Sequence, residues 1–240
     1  MSRHRRDVSL AGHVQISDEL PRWKRLLDLA VLLLAVPIVA PIMFFIAVAI
    51  KVVSPGPILF KQERIGLNGC KFTCFKFRTM KVNASTTSHQ EYLADLIHSD
   101  KPMVKMDHLG DDRLIPGAHW IRSTGLDELP QLINVLLGDM TWVGPRPGTL
   151  TEYEQYTDDH KCRLLTLPGL TGLWQVSGKN ETTFEEMVRL DVWYAKNKTI
   201  WMDLKIMVKT PLVLLVQCRD SIGREKRKVE SGKKAISLPV

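Results

Sequence analysis

Two adjacent carboxylates, Asp127 and Glu128, open a short apolar helix in the stretch STGLDELPQLINVLLGDMTWVGPRP, residues 123–147. Acidic side chains in a first helical turn complement the positive end of the helix dipole, so the pair reads as an ordinary cap. A second chemistry uses the same residues. A carboxylate pair with a divalent ion suits phosphoryl transfer, because the ion screens phosphate charge and lets a carboxylate approach. A carboxylate can also be the nucleophile itself and form an acyl phosphate. Arginine forks bind phosphate oxygens in pairs. One stands in the Gly/Pro loop VGPRPG, 143–148, and a second such loop, LPGLTG, spans 167–172. The basic candidates are Lys76, Arg78, Arg122, Arg146 and Lys179; the acidic ones are Asp127, Glu128, Asp191 and Asp203. From the residues alone, cap and site both stand.

The other familiar constellations are missing. The chain has no Walker loop, no strand-linked GxGxxG, no GxSxG elbow and no HExxH. Its seven histidines are scattered, and no two sit at ligand spacing. Of the four cysteines only Cys70 and Cys74 are close, without a second pair to complete a zinc site, so they read as small apolar packing in a reducing compartment. A net charge of +7 over 240 residues points to an anionic partner. Nucleic acid is disfavoured, since no aromatic-basic interleaving or binding motif accompanies the charge.

The elements that must position these residues begin with an apolar run. Residues 29–50 hold 22 residues without a charge, long enough to span a bilayer. Pro37 and Pro41 interrupt it, and each should bend or break a helix. Both flanks are basic: Arg22, Lys24 and Arg25 before, Lys51, Lys61 and Arg64 after. Basic flanks prefer the cytoplasmic side, which favours a re-entrant hairpin that enters and leaves by one face. A kinked single-pass helix is the alternative. The SPGP at 54–57 marks the exit. Residues 57–81 alternate as a β-hairpin with a Gly-rich turn at 66–69. Helices are predicted at 126–137, stopped by Gly138, at 152–163 and at 183–195, with a Gly-punctuated strand-like stretch at 167–180. Residues 200–217 read either as a helix in the membrane interface with snorkelling lysines or as a buried core helix. Residues 1–20 read as a flexible basic tail, and the basic 220–240 as a flexible tail that can hold anionic lipid.

The sequence resembles the monotopic phosphoglycosyl transferases, or bacterial sugar transferases, that initiate exopolysaccharide or glycoconjugate assembly. The resemblance lies in RLLDLAVLLLAVPIVAPIMFFIAVAIKV, GPILFKQERIG, FKFRTM, RSTGLDELPQLINVLLGDMTWVGPRP, PGLTGLWQVSG and RLDVWYAKN…DLKIM, covering 22 to about 210 in the family's order. It implies an α/β (α+β) fold. A re-entrant membrane helix, 21–56, with its break at Pro37, Ala40 and Pro41, precedes a small, mostly helical cytoplasmic catalytic domain, 57–219. That domain contains the β-hairpin and interfacial amphipathic helices. It also implies Asp127 as nucleophile on the β-phosphate of a UDP-sugar, with UMP leaving. Undecaprenyl phosphate then accepts the sugar phosphate. Glu128, with Asp127, would hold Mg2+. Lys76, Arg78, Arg122, Arg146, Lys179 and Asp203 would hold phosphate or shape the site. The implied place is the cytoplasmic face of the bacterial inner membrane, in contact with its lipids. VRLDVWYAKN and GKNETTFEEM resemble members that handle UDP-galactose or UDP-glucose. Three departures stand out: Lys179 and Leu167 replace arginines common in relatives, and Ala40-Pro41, with the extra Pro37, replaces a Ser-Pro break. Lysine keeps a charge but loses the two-pronged fork, and alanine lacks a hydroxyl for a freed carbonyl.

Overall fold

The computed structural model describes residues 21–82, 84, 92, 95–97, 99–103, 113–178 and 181–236, with the backbone alone for 217 and 220–236. Lys179 and both outermost segments, 1–20 and 237–240, lie outside the described residues.

The chain opens with α1, Arg22–Val53, which carries both Pro37 and Pro41. The sequence placed a break at these prolines, yet the helical assignment is continuous across them. A proline deletes one backbone donor and bends a helix without necessarily ending it. The exit falls where expected: Ser54 is the C-cap, and its N–H donates to the Ile50 carbonyl at 3.0 Å. This is the one described helix long and apolar enough to cross a membrane.

Both ends of α1 touch the same globular body. At its start, Arg25 Nη1 and Nη2 donate to the Val135 and Leu136 carbonyls at 2.6 and 2.8 Å. One turn on, the Asp28 carboxylate accepts from Thr141 Oγ1 at 2.8 Å and from the Trp142 amide at 3.0 Å. At its end, Ile46 and Ile50 are buried in a cluster with Phe77, Ile115, Ala118 and Ile121. Between these anchors Leu32 is buried but much of the helix surface is bare: Leu33 and Leu34 are 75% and 76% exposed, and Ile38, Phe44 and Phe45 are exposed as well.

The body is built of short pieces. The hairpin pairs β1, Leu59–Ile65, antiparallel with β2, Lys71–Phe77, so that Ile65 faces Lys71 and Leu59 faces Phe77. Strand β3, Thr141–Val143, runs parallel to β4, Gly169–Thr171. An isolated antiparallel bridge, Ile65 to Gly148, ties β1 to the loop that follows β3. Helices follow as α2, Ala118–Ser123; α3, Gln131–Leu137; α4, Leu150–Glu154; α5, Asp158–Lys161; α6, Leu173–Val176; α7, Phe184–Asn197; and α8, Ile200–Ile236.

Several predicted elements divide. The helix expected at 126–137 is a 3₁₀ turn, Leu126–Glu128, followed by α3, which Gly138 terminates as expected. The helix expected at 152–163 splits because Thr157 accepts from the His160 N–H and starts a new one. Thr183 caps α7 in a box with Glu186, as its sequence signature implies. The stretch 167–180 contains β4 and then α6. Helix α8 covers 200–217 and runs on through the 220–236 stretch read as a tail, whose Arg, Glu and Lys residues are good helix formers.

Asn134 is fully buried on α3. Its Oδ1 accepts from the Phe75 amide at 3.1 Å and its Nδ2 donates to the Thr73 carbonyl at 2.7 Å. The amide side chain thereby completes the open edge of β2 and holds α3 against it. Asn134→Ala leaves a buried N–H and C=O unpaired and is expected to destabilise the chain by about 1–3 kcal/mol. Thermal melts of the detergent-solubilised variant measure this, and an unchanged midpoint would contradict it.

Candidate active site

The 3₁₀ turn that carries the carboxylates exists because Gly125 takes a left-handed conformation, φ 74°, which costs a residue with a Cβ energy. That reversal turns the chain off α2 and lays Leu126–Glu128 against β2. Asp127 is buried and Glu128 half exposed. From β2, Lys76 Nζ donates to Glu128 Oε1 at 2.8 Å. Leu126 and Leu129, on either side of the pair, pack against the cluster that contains Ile46 and Ile50 of α1. The predicted dyad therefore sits where the apolar helix re-joins the body.

Alternate residues on one face of β2 continue toward that helix. Arg78 donates to Ser54 Oγ at 3.1 Å, to the Ser54 carbonyl at 2.7 Å and to the Pro55 carbonyl at 2.9 Å. The structure thus places Arg78 on the exit of α1. Arg122, on α2, donates to Thr79 Oγ1 at 3.1 Å. Thr79 directly follows Arg78, so both arginines meet at the end of β2.

Arg146 arrives from a second direction. Parallel pairing of β3 with β4 brings VGPRPG and LPGLTG together as one doubled backbone. The Gly144 amide donates to the Thr171 carbonyl at 2.8 Å, and the Gly169 amide to the Pro145 carbonyl at 2.9 Å. A Cβ on Gly144 would overlap the Leu167 carbonyl oxygen, and one on Gly169 would overlap the Gly144 amide. Glycine is needed here for space. The Arg146 side chain, 22% exposed, donates from Nη1 to Glu152 Oε1 at 2.9 Å. Cys74, Lys76, Glu128, Arg64 and Arg146 share one neighbourhood: burial pushes the Cys74 thiol up, and the other four act on it electrostatically.

Asp203 and Asp191 are buried in ion pairs. Asp203 Oδ2 accepts from Lys24 Nζ at 2.5 Å, and Tyr194 Oη lies 2.6 Å from its Oδ1. Asp191 is bonded to Arg163, whose other Nη2 contact is the Arg146 carbonyl at 3.0 Å. Burial, with Asp203 beside it, raises the Tyr194 hydroxyl far above its ordinary value. Sequence reasoning did not single out Arg64, Glu152, Arg163, Lys24 or Tyr194. Glu152 had a local signal: it stands three residues after Thr149, and the two form a capping box. The others had none, because their partners are remote in sequence.

Among the described residues no three His, Cys, Asp or Glu side chains gather as a metal cage. A phosphate-bridging magnesium needs only one or two carboxylates, since phosphate oxygens and waters complete its octahedron. The adjacent Asp127 and Glu128 fit that requirement.

Burial alone would raise the Glu152 carboxyl. Arg146 and Arg64, with the Thr149 amide, instead hold it at about 2, against an ordinary 4.5. A depressed pKa contributes stability that is complete above the unfolded value and fades as pH falls toward the folded one. Stability is therefore expected to decline below about pH 4.5, with up to about 3 kcal/mol traceable to this group. Melting curves between about pH 6 and 3 check the slope, which Glu152→Gln should flatten.

Comparison with known proteins accords with this geometry. A family model described as bacterial sugar transferase matches residues 20–217. The chain is 39% identical over 198 residues to an undecaprenyl-phosphate galactose phosphotransferase of Salmonella typhimurium, covering 80% of this chain and 40% of that protein. It is 38% identical over 200 residues to a UDP-glucose:undecaprenyl-phosphate glucose-1-phosphate transferase of Caulobacter vibrioides, covering 80% and 69%. It is 35% identical over 193 residues to the exopolysaccharide production protein ExoY of Sinorhizobium fredii, covering 80% and 85%. The chain spans about two fifths of the length of the Salmonella relative and most of the ExoY protein. On the extent of the match and these identities, this chain belongs to the bacterial sugar transferase family.

Proposed function

We propose that the chain transfers a hexose 1-phosphate, galactose or glucose, from a UDP-sugar to undecaprenyl phosphate, releasing UMP and beginning exopolysaccharide synthesis. The observation that carries this reading is the position of Asp127: a buried carboxylate, next to Glu128 and the Lys76 pair, in a turn packed on the apolar α1. A soluble-substrate enzyme has no use for a nucleophile at a lipid boundary, whereas one acting on a polyprenyl phosphate does. The names of the Salmonella and Caulobacter relatives specify undecaprenyl phosphate with galactose and glucose respectively.

The reaction divides into two displacements. An Asp127 carboxylate oxygen attacks the β-phosphorus; the bond from that phosphorus to the oxygen of the α-phosphate breaks, and UMP leaves with both electrons. A phosphate oxygen of undecaprenyl phosphate then attacks the same phosphorus, and the Asp127 carboxylate departs as it came. Lys76 orients Glu128, and Arg146 and Arg122 supply positive charge for the phosphoryl oxygens as negative charge moves between them. Glu128 with Asp127 would hold Mg2+, which when bound screens the diphosphate charge. Lys179 belongs to the same proposed set, and Arg78 and Asp203 shape the site from the two ends of α1.

Contacts at the two ends of α1 support a re-entrant path. Arg25 touches the C-terminal end of α3, and Ile46 belongs to the cluster joined by Leu129, just before α3 begins. Along a straight helix, residues 25 and 46 lie about 31 Å apart, whereas 129 and 136 on the body are only about 10 Å apart. A bend reconciles the two, and sharp bends occur at prolines. The exposed apolar middle of α1 would then enter one leaflet. On α8, Trp201, Val208, Leu212 and Leu215 are exposed on one face while Asp203 and Ile206 are buried on the other, as suits a helix lying in the interface on the cytoplasmic side.

Incubation with UDP-sugar and Mg2+ but no acceptor is expected to leave a sugar-phosphate adduct on Asp127, located by mass spectrometry. Asp127→Asn should lose UMP release by about 10³-fold or more; full turnover in that variant, or release of UDP in place of UMP, would sink the mechanism. For topology, cysteines placed at Arg22 and Lys51 should both react with an impermeant thiol reagent from the same side of sealed membranes. Labelling of only one would make α1 a single pass.

A further inference from the structure

We propose that Arg64 and Glu152 are positioning residues that grip one edge of the Arg146 guanidinium loop and leave its other edge turned toward the diphosphate of the sugar nucleotide. This assignment rests on the function proposed above.

The backbone of the arginine loop is held at four consecutive carbonyls, Pro145 to Gly148. Pro145 O accepts from the Gly169 amide at 2.9 Å, and Gly148 O from the Ile65 amide at 3.0 Å. Arg146 O accepts from Arg163 at 3.0 Å, and Pro147 O from Arg64 Nη1 at 3.1 Å. Four consecutive carbonyls are thus tied to three parts of the body, β1, β4 and the turn that carries Arg163, which leaves the side chain as the loop's means of reaching a ligand.

That side chain is only partly committed. Its hydrogen bond among the described residues is Nη1 to Glu152 Oε1, at 2.9 Å, although a guanidinium has five N–H donors. A bidentate pair with a carboxylate would use two of them; this pair uses one. The other oxygen of Glu152, Oε2, accepts from the Thr149 amide at 2.5 Å. The capping box of α4 thereby fixes the orientation in which this carboxylate meets Arg146. The Arg146 side chain remains 22% exposed.

Arg64 completes the arrangement. Its Nε and Nη2 both donate to Gln62 Oε1, at 3.0 and 2.7 Å, and its Nη1 holds Pro147. All of these acceptors are neutral. Burial lowers the Arg64 pKa, and the nearby charge of Arg146 lowers it further. Glu152 bonds Arg146 and acts on Arg64 only at longer range, so the two guanidinium groups bring more positive charge to the corner than this carboxylate offsets. A diphosphate presents the charge and the paired oxygens that such a corner lacks. Strand register sets the corner near the dyad: Gln62, which holds Arg64, pairs with Cys74, and Lys76, bonded to Glu128, stands two residues further along β2.

The test uses the full chain in detergent, with UMP release measured against UDP-galactose and UDP-glucose at fixed undecaprenyl phosphate. Arg64→Met and Glu152→Gln are each expected to raise KM for the UDP-sugar about tenfold, with kcat within about threefold of the parent. Arg64→Lys keeps the charge without the twofold hold on Gln62, and should recover part of that KM. Inhibition by UMP should weaken in parallel, while KM for undecaprenyl phosphate stays unchanged. A merely structural role would lower the amount of active enzyme, and so kcat, without moving KM. That outcome overturns the assignment, as does an unchanged KM in both Arg64 variants, which remain decisive if Glu152→Gln does not fold. A parent chain that releases no UMP and gains no adduct on Asp127 instead defeats the underlying function, and this assignment with it.

Discussion

A lysine ammonium without access to water anchors the arrangement. Lys24 is fully buried, and its three N–H groups meet the Val143 carbonyl, Tyr194 Oη and Asp203 Oδ2 at 2.8, 2.9 and 2.5 Å. Those acceptors come from β3, α7 and α8. A buried charge is tolerable only when its partner and its remaining hydrogen bonds are all supplied, and removing one partner of such a pair is costly. The membrane-facing helix is therefore tied to three elements of the body at one point. Val143 immediately precedes the arginine loop, so the same carbonyl that receives Lys24 also leads to Arg146.

The site is assembled from charges that are each held by something else. Glu152 and Arg163 secure Arg146 and its loop, Lys76 secures Glu128, and Ser54 and Pro55 receive Arg78. Under the proposed function, charge prearranged in this way would cost no reorganisation as phosphoryl oxygens arrive, which is the usual source of electrostatic stabilisation in enzymes. Its location follows from the packing of Leu126 and Leu129 on the Ile46–Ile50 end of α1, which brings the carboxylates to the edge of the apolar surface.

Much of the fold was legible where the signal is local. Alternation and the Gly66–Gly69 turn marked the hairpin, Gly138 ended α3, and Thr183 with Glu186 opened α7. Legibility failed where two short pieces share one helical period. Thr157 restarts the chain within 152–163, because a local cap outranks periodicity over so short a span; Leu126–Glu128 form a 3₁₀ turn ahead of α3, with Pro130 between them. Pro37 and Pro41, read as a bend or break, both lie inside the continuous α1.

By itself the sequence specified the chemical inventory: the Asp127–Glu128 pair, the proline-flanked Arg146, the apolar run beginning near residue 29 and an excess of positive charge. Residue type and local spacing are enough for these, since charge, nucleophilicity and helix entry are short-range properties. Only the tertiary structure decided which charges were spent on architecture. Asp203 answers Lys24 across 179 positions, Asn134 completes β2 across 61, and Arg64 reaches Pro147 across 83. Such pairings depend on which backbones the packed apolar clusters bring together, and a buried ion finds its partner in space, with no periodicity in the chain to announce it.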